Sequence, residues 1–344
     1  MKKTILYLTL ASALLLPTAE NFAAEKKKPA RKAKKQAAKK KQPQTWAEKA
    51  AARLKPLNNQ QKAKVREALP KKATAKPKKD RRVLVFWRCG GFIHTSIPSG
   101  NYMLGELGEK TGAFKADFTD DYSDLNRANL KKYDAIIFNN TTRLELESDG
   151  QRRAIVDFMK AGKGVAGIHA AGDNFYKWRL GAAMIGGQFN GHPWNAGGKW
   201  AFKLDDPKHV LNKAFHGKGF WHTDEIYQYK PETYEGEGKL RILVSLDMSK
   251  EAVTKVMDHE RFEKYKKQYG PGPRSVPVSW LREFEGGRVF YTNFGHRDDT
   301  FTKPNIVRHM LDGIQYALGD LAADAEPTAK AGKPKAAFAP AQGK

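Results

Sequence analysis

Cysteine is almost absent from this sequence, which has one, Cys89, in 344 residues. A single thiol excludes an internal disulfide. Because Cys89 lies far from the amino terminus, we also expect no lipid-anchored amino terminus. Long apolar runs are also missing, since the run from Thr4 to Ala19 is too short to span a bilayer comfortably. These absences favour a chain that is stabilised by its core, without covalent cross-links.

The first 24 residues have the layout of an export signal. Lys2 and Lys3 precede the apolar run, and the small residues Ala23 and Ala24 follow it. We expect residues 1–24 to be a signal peptide that is removed, after which no transmembrane segment is left. The mature protein is therefore expected to be periplasmic or secreted.

Acidic residues are scarce between Glu25 and Arg82, where 23 Lys and Arg face 4 acids, and most of the formal net charge of +25 lies there. Because this basic arm has few large apolar residues, we expect residues 25–82 to be mostly disordered. Two helical fragments are predicted within it, at Trp46 to Leu54 and Asn58 to Leu69. Contact with an anionic polymer is one interpretation, and a solvated spacer is the favoured one, since no aromatic residues are interleaved. Residues 323–344 are also expected to be disordered.

From Val83 onward the pattern changes to strands alternating with helices, which is typical of a parallel sheet covered on both faces. Strands are predicted at 83–88, 114–118, 134–138 and 164–169, with helices at 97–110 and 150–161. Beyond Asp173 the alternation becomes irregular, and shorter strands are predicted at 200–204, 225–229, 241–246, 276–284 and 288–292, before a helix at 305–318. The sequence therefore predicts one α/β domain over 83–322, with loop and strand insertions that roof the ligand side of the sheet.

Four histidines follow or flank predicted strand ends. His169 ends the fourth strand, His94 follows the first, His296 follows the last, and His192 lies in a glycine-rich loop. Ligands bind at the carboxyl ends of strands in open α/β sheets, so we expect these imidazoles to share one crevice. The turn at 167–171 has the outline of a nucleophile elbow, but it carries histidine where Ser or Cys would stand, which disfavours a covalent acyl enzyme.

Two acids and a tryptophan complete the candidate site. Alternation along the strand after Asp224 and Glu225 would direct one carboxylate toward the crevice, where it would form an acid–base pair with an imidazole. Trp194 lies beside His192, and indole faces stack well on sugar rings. Asp173 and Asp298 are weaker candidates on the same grounds.

We assign these residues as follows. The catalytic residues are His169, His296 and Glu225, and the substrate-binding residues are His94, His192, Trp194 and Asp224. A divalent metal is allowed but not indicated, since no histidine pair has helical spacing. If one is bound, the expected ligands are His94, His169, His192 and His296. A pairing of Cys89 with His94 as a nucleophile is less favoured than a rim or core thiol.

Together these segments resemble the ThuA-like (trehalose utilisation) family over about Val83 to Leu321. The matching pieces are Gly91–His94, Ser96–Pro98, Gly167–Ala171, Gly186–Phe189, Gly191–Pro193, Asp224–Tyr227, Pro277–Trp280, Gly287–Tyr291 and Gly295–His296. The resemblance implies a flavodoxin-like, class I glutamine amidotransferase-like fold with a doubly wound parallel sheet. It also implies a link to sugar or glycoside catabolism, with oxidised (keto) sugars among the substrates. Amidotransferases carry a catalytic cysteine where this chain has His169, so glutamine hydrolysis is not expected.

The preferred hypothesis is an exported carbohydrate-active enzyme, a lyase, isomerase or hydrolase, in which His169 and His296 transfer protons on a sugar or glycoside. The alternative is a noncatalytic glycan-binding module with tryptophans as its binding surface and the basic arm as its anchor. A third hypothesis is recruitment of nucleic acid or another anionic polymer by that arm. Cofactor identity and oligomeric state stay open.

Overall fold

A nine-stranded mixed sheet organises the computed structural model, which describes residues 44–256, 276–332 and 334–342. The strands are β1 (Arg82–Phe86), β2 (Lys115–Thr119), β3 (Ala135–Asn139), β4 (Gly164–Ile168), β5 (Lys199–Leu204), β6 (Phe220–Thr223), β7 (Arg241–Leu246), β8 (Pro277–Phe284) and β9 (Gly287–Thr292). Their order across the sheet is β2-β1-β3-β4-β9-β8-β7-β5-β6. The first five in that order are parallel, and the other four continue the sheet with antiparallel pairings.

Helices cover this sheet. They are α1 (Trp46–Arg53), α2 (Asn59–Ala68), α3 (Ile97–Thr111), α4 (Arg127–Leu130), α5 (Asp149–Lys160), α6 (Arg179–Ile185), α7 (Glu251–Thr254) and α8 (Pro304–Ala317). A 3₁₀ turn spans His169–Asp173. None of the helices in the described part of the chain is both long and apolar enough to cross a bilayer.

The parallel strands bury side chains on both faces. In β1, Val83 and Val85 lie in the core with α2, α3 and α8, whereas Leu84 and Phe86 lie in the core with α5 and α6. This alternation places helices on both sides of the sheet, as predicted. The strand order 2-1-3-4-5, with β9 in fifth place, is the flavodoxin-like one.

The strands of the antiparallel half were predicted only as insertions, without their direction in the sheet. That direction follows from the connection between β8 and β9, where Glu285 and Gly286 both have positive φ, 51° and 83°. Two such residues form the tight turn that reverses a strand. The strand predicted at 225–229 is absent, because this segment makes only isolated bridges at Ile226 and Tyr229, and β6 at Phe220–Thr223 was not predicted.

The basic arm is ordered from Thr45 onward, so the prediction of disorder over 25–82 is wrong for its second half. Helices α1 and α2 match the predicted fragments, and each begins with a reciprocal capping box. Val65, Ala68 and Leu69 are buried in the core against α3 and α8. A few apolar residues on one helical face suffice because the sheet domain supplies the opposite surface. Residues 25–43 lie outside the described residues.

A segment without regular secondary structure then leads from α2 into β1 along helix α8. The side-chain oxygen of Gln315 accepts hydrogen bonds from the main-chain N–H groups of Thr74 and Ala75, at 2.8 and 3.1 Å. Asp320 accepts from the N–H of Lys78 and pairs with Arg81 at 2.6 Å. These contacts between distant parts of the sequence replace the side-chain burial that the segment lacks.

The carboxyl-terminal segment is ordered as well, contrary to the prediction for 323–344, over the part that is described. Ala337 pairs with Leu204 through two main-chain hydrogen bonds of 2.9 and 3.0 Å. The N–H of Ala339 donates to Asp247 at 3.0 Å. Main-chain hydrogen bonds need no large side chains, so composition could not reveal this docking.

Docking of α2 on the sheet domain predicts the effect of one substitution on stability. Leu69 is 4% exposed and lies in the core, so Leu69→Ala should lower the free energy of unfolding by about 2–5 kcal/mol, measured by chemical denaturation. Leu180→Ala, at a leucine that is 39% exposed, is the control and should change it by about 0.5 kcal/mol or less. Equal, small effects of the two changes would mean that α2 is not docked.

Candidate active site

Four side chains meet where strands end. His169 directly follows β4, and His296 follows the neighbouring parallel strand β9 after three residues. His94 comes from the loop after β1, and Glu225 lies two residues after β6. One donor atom from each, three imidazole nitrogens and a carboxylate oxygen, lie within 4.8 Å of one another. The structure thus brings His94, His169 and His296 into one crevice, as expected.

The turn after β4 has the sharp geometry that the elbow outline predicts. His169 has a φ of 45°, in the left-handed region that is uncommon for residues other than glycine. The Tyr291 hydroxyl donates to the main-chain oxygen of His169 at 2.7 Å. A Cβ at Gly167 would lie 3.0 Å from the Tyr291 ring, so a larger residue there would crowd this support. The backbone therefore presents an imidazole above the sheet edge.

A main-chain carbonyl orients the His169 ring. Nδ1 of His169 lies 2.7 Å from the oxygen of Asn293, which only accepts, so we assign the proton to Nδ1. Nε2 then faces the crevice, with His296 Nδ1 at 3.3 Å and Glu225 Oε1 at 3.6 Å. This arrangement is common in histidines that bind metals.

Glu225 lies between three imidazoles. Its Oε1 is 3.2 Å from Nδ1 of His296, and its Oε2 is 3.3 Å from Nδ1 of His192. Burial by itself would raise the pKa of Glu225, but hydrogen bonds and charge interactions with His169 and His296 outweigh it, so the pKa is lowered. Glu225 is therefore an ionised carboxylate.

His94 is held neutral in the same crevice. Burial, and then the nearby imidazoles of His169 and His296, lower its pKa well below the ordinary value. The Thr142 hydroxyl lies 3.2 Å from Nδ1 of His94. A neutral imidazole keeps a lone pair that a cation can use.

Asp224 does not face the crevice, which corrects its assignment to substrate binding. It is fully buried, and it accepts hydrogen bonds from the N–H groups of Gly295 and Arg297 at 2.8 and 3.1 Å and from the Thr300 hydroxyl at 2.9 Å. Adjacent residues point to opposite sides here, so Glu225 enters the crevice while Asp224 holds the loop that carries His296.

Trp194 is also misassigned, because it has no exposed surface and its Nε1 donates to the oxygen of Val253 at 2.8 Å. It packs in the core, where Trp200 and Trp280 are also buried. The sequence identifies Trp194 as a residue type that can stack on a sugar, but it does not give the orientation of the side chain. The tryptophan surface expected for a glycan-binding module is therefore not formed by these three residues.

His192 lies at the rim of the crevice, with 47% of its side chain exposed. Its Nδ1 contacts Oε2 of Glu225. The cluster of four contains Glu225 with His94, His169 and His296, and His192 is not a member of it. The expected ligand set of four histidines is corrected accordingly.

A cavity of about 550 Å³ opens above the cluster. Its walls combine glycine backbone, aromatic rings and polar groups, from Gly90, Gly91, Phe92, His94, Thr142, Arg143, Asp173, Phe189, His192, Glu225, Tyr227 and His296. The volume lies in the range of small-molecule sites. Loops after β1 and β3 both contribute, which is the topological switch point of this strand order.

Asp173 is a second carboxyl group of different character. It lines the cavity, is 5% exposed and accepts a short hydrogen bond from the Tyr176 hydroxyl. Burial raises its pKa, whereas the pKa of Glu225 is lowered. Two carboxyl groups with opposite shifts are suited to different roles in proton transfer.

Several lining residues were not predicted. Thr142 and Arg143 follow β3, so the strand-end argument that selected the histidines applies to them too. Tyr227 and Phe189 place aromatic rings 4.5 Å apart beside His169, and no signal in the sequence distinguishes them from core residues. Asn293 acts on the His169 ring through its main-chain oxygen, which any residue type provides.

Cys89 is a buried thiol, and its Sγ donates to the oxygen of Asn140 at 3.1 Å. Burial raises the pKa of this thiol to about 12. A protonated thiol is a poor nucleophile, so the geometry favours the core interpretation over a Cys–His pair.

Residues 82–317 match the family model ThuA, described as trehalose utilisation. A ThuA-like protein from Bacteroides uniformis has a similar structure, with 20% identity and a TM-score of 0.52 over 75% of this chain and 99% of that one. A ThuA-like protein from Parabacteroides merdae has 17% identity and a TM-score of 0.51 over 72% and 93%. No curated protein sequence matches the chain significantly.

The structural likeness supports the α/β, flavodoxin-like fold, and the family match covers the parallel sheet together with every member of the cluster of four. Since that match spans well over half of the sequence, this chain belongs to the ThuA (trehalose utilisation) family.

Proposed function

We propose that this protein is a metal-dependent enzyme of carbohydrate catabolism that transfers protons on a sugar or glycoside, with oxidised (keto) sugars as the substrate class. The observation that carries this proposal is the cluster of His94, His169, Glu225 and His296 at the base of the cavity. The family's link to trehalose utilisation supports the substrate class.

The cluster fits a divalent transition metal. Imidazole nitrogens with one carboxylate oxygen suit ions such as zinc, iron or manganese. The two outer contacts, from the Asn293 oxygen to His169 and from the Thr142 hydroxyl to His94, are of the kind that orient metal ligands. When bound, such an ion supplies Lewis-acid polarisation of a substrate oxygen.

Proton transfer then falls to residues that line the cavity outside this set. Asp173 lines the cavity and burial raises its pKa, so we assign Asp173 as the group that donates a proton to a leaving or carbonyl oxygen. His192, oriented by Oε2 of Glu225, is placed to accept one. In this proposal His169 and His296 hold the metal instead of moving protons themselves.

The upper walls suit a sugar. The rings of Phe92, Phe189 and Tyr227 offer faces for the apolar side of a pyranose, and Arg143 offers donors for its hydroxyl groups. A cavity of this size accommodates a sugar with a substituent, which leaves lyase, isomerase and hydrolase chemistry as the reaction types to be separated by assay.

We also propose that the enzyme acts in the periplasm or outside the cell, on the basis of the signal-like residues 1–24. Expression in a Gram-negative host should give a protein in the periplasmic fraction with a shortened amino terminus. A full-length chain found only in the cytoplasm would contradict export.

Metal binding should depend on His169. His169→Asn removes the imidazole while using a residue that tolerates positive φ, so the purified variant should hold almost no divalent metal where the unchanged protein holds about one ion per chain, measured by elemental analysis. His216→Asn is the matched control, since the exposed His216 also has a positive φ, of 54°. Equal metal content in all three proteins would refute the site.

Turnover should depend on Asp173. Asp173→Asn keeps the shape but removes the acidic proton, so kcat on the best substrate from a panel of keto-glycosides should fall roughly 10²–10⁴-fold with metal content unchanged. Asp117→Asn, at a partly exposed strand residue that does not line the cavity, should leave kcat unaltered. A kcat for Asp173→Asn within a few-fold of the unchanged enzyme would exclude Asp173 as the acid.

A further inference from the structure

A second cavity, of about 230 Å³, adjoins the catalytic one. The two share Gly90 and Gly91 as lining residues, so the backbone of these glycines is common to both cavities. The other lining residues are Trp46, Lys49, Arg88, Cys89, Ile93 and Tyr122. Trp46 and Lys49 belong to α1, which precedes residues 82–317, so part of this wall lies outside the matched family domain.

The glycine pair that the two cavities share is held by hydrogen bonds. The N–H groups of Gly90 and Gly91 both donate to the oxygen of Thr142, at 2.7 and 3.0 Å. A Cβ at Gly90 would lie 2.2 Å from the main-chain oxygen of Arg143, so the close approach of these two loops requires glycine. The backbone of Gly90 and Gly91, which both cavities share, is therefore held in a fixed position.

Trp46 presents an aromatic ring of set orientation. Its Nε1 donates to Asp120 at 2.6 Å, and its ring packs against Trp87 with centroids 5.8 Å apart. The side chain is nevertheless only half-buried and lines the cavity. An indole that is fixed before binding costs little entropy when a sugar ring stacks on it.

Cationic donors lie beside this ring. The guanidinium of Arg88 lies 5.8 Å from the Trp46 ring centroid and 4.6 Å from that of Tyr122. Lys49 is exposed on the same helix, one turn from Trp46. Guanidinium and ammonium groups donate hydrogen bonds that hydroxyl oxygens accept.

Helix α1 is anchored to the loop that carries His94. Arg53 donates through Nε to the oxygen of Ile93 at 2.7 Å, and its guanidinium lies 4.7 Å from the Phe92 ring centroid. Leu54 packs with Ile93 on the inner side. The second cavity is thus built on the same loop as the catalytic one, at a fixed distance from it.

We propose that the second cavity is a subsite for the second sugar ring of a disaccharide or glycoside whose first ring occupies the catalytic cavity. This inference rests on the proposed function, since it assumes a carbohydrate in the first cavity. The second ring stacks on Trp46, and its hydroxyl groups accept hydrogen bonds from Arg88 and Lys49. The volume of about 230 Å³ suits one ring, and the glycines that line both cavities make the two neighbours, so that one two-ring ligand occupies both.

The test compares a two-ring and a one-ring ligand, trehalose and methyl α-glucoside, by calorimetric titration of the purified full chain. Trp46→Leu should weaken trehalose binding roughly 2–10-fold, the amount expected for loss of one aromatic contact, and leave methyl α-glucoside binding unchanged. Lys49→Ala should weaken trehalose binding less and in the same selective way. Lys55→Ala, an exposed lysine that does not line either cavity, is the control and should change neither affinity.

The outcomes separate the two proposals. If the unchanged protein binds both ligands but Trp46→Leu and Lys49→Ala weaken them equally or not at all, the subsite is refuted and the proposed function stands. If the unchanged protein binds neither these ligands nor their oxidised (keto) forms, the carbohydrate function itself fails. Selective loss of two-ring binding in both variants confirms the subsite.

Discussion

The site depends on one electrostatic arrangement, a buried carboxylate shared among imidazoles. Glu225 contacts His169 and His296 through Oε1 and His192 through Oε2, and these contacts outweigh the penalty for burying its charge. His169 and His296 also contact each other, with Nε2 of His169 3.3 Å from Nδ1 of His296. Burying several ionisable groups in a low-dielectric pocket costs free energy unless each group has a hydrogen-bond or charge partner. Clusters of buried ionisable groups are typical of functional centres.

The neighbouring carboxylate, that of Asp224, fixes the loop that carries His296. It receives two main-chain N–H groups from the loop of His296, so the position of that imidazole is set by a buried acid on the far side of the chain. His169 is set in turn by the Asn293 oxygen and by the Tyr291 hydroxyl. The two adjacent acids thus have different roles. Asp224 holds the backbone of the His296 loop, and Glu225 enters the crevice.

Much of this could be predicted from the sequence, for identifiable reasons. Strand-length apolar runs located the sheet, and the rule that ligands bind at strand ends selected His94, His169 and His296. The orientation of Trp194 and the buried role of Asp224 could not be predicted, because both depend on contacts with residues far away in the chain. The same is true of the segment before β1, whose order comes from Gln315, about 240 residues later. Patterns report what a residue prefers, whereas long-range contacts decide where it lies.

The central claim is that three imidazoles and one carboxylate form a single metal centre. The most direct measurement is anomalous X-ray diffraction from crystals of the protein, recorded at the absorption edge of the metal found in it. The account predicts one strong peak enclosed by the side chains of His94, His169, Glu225 and His296. The absence of a peak there, or a peak at His192 or another surface group instead, would contradict it.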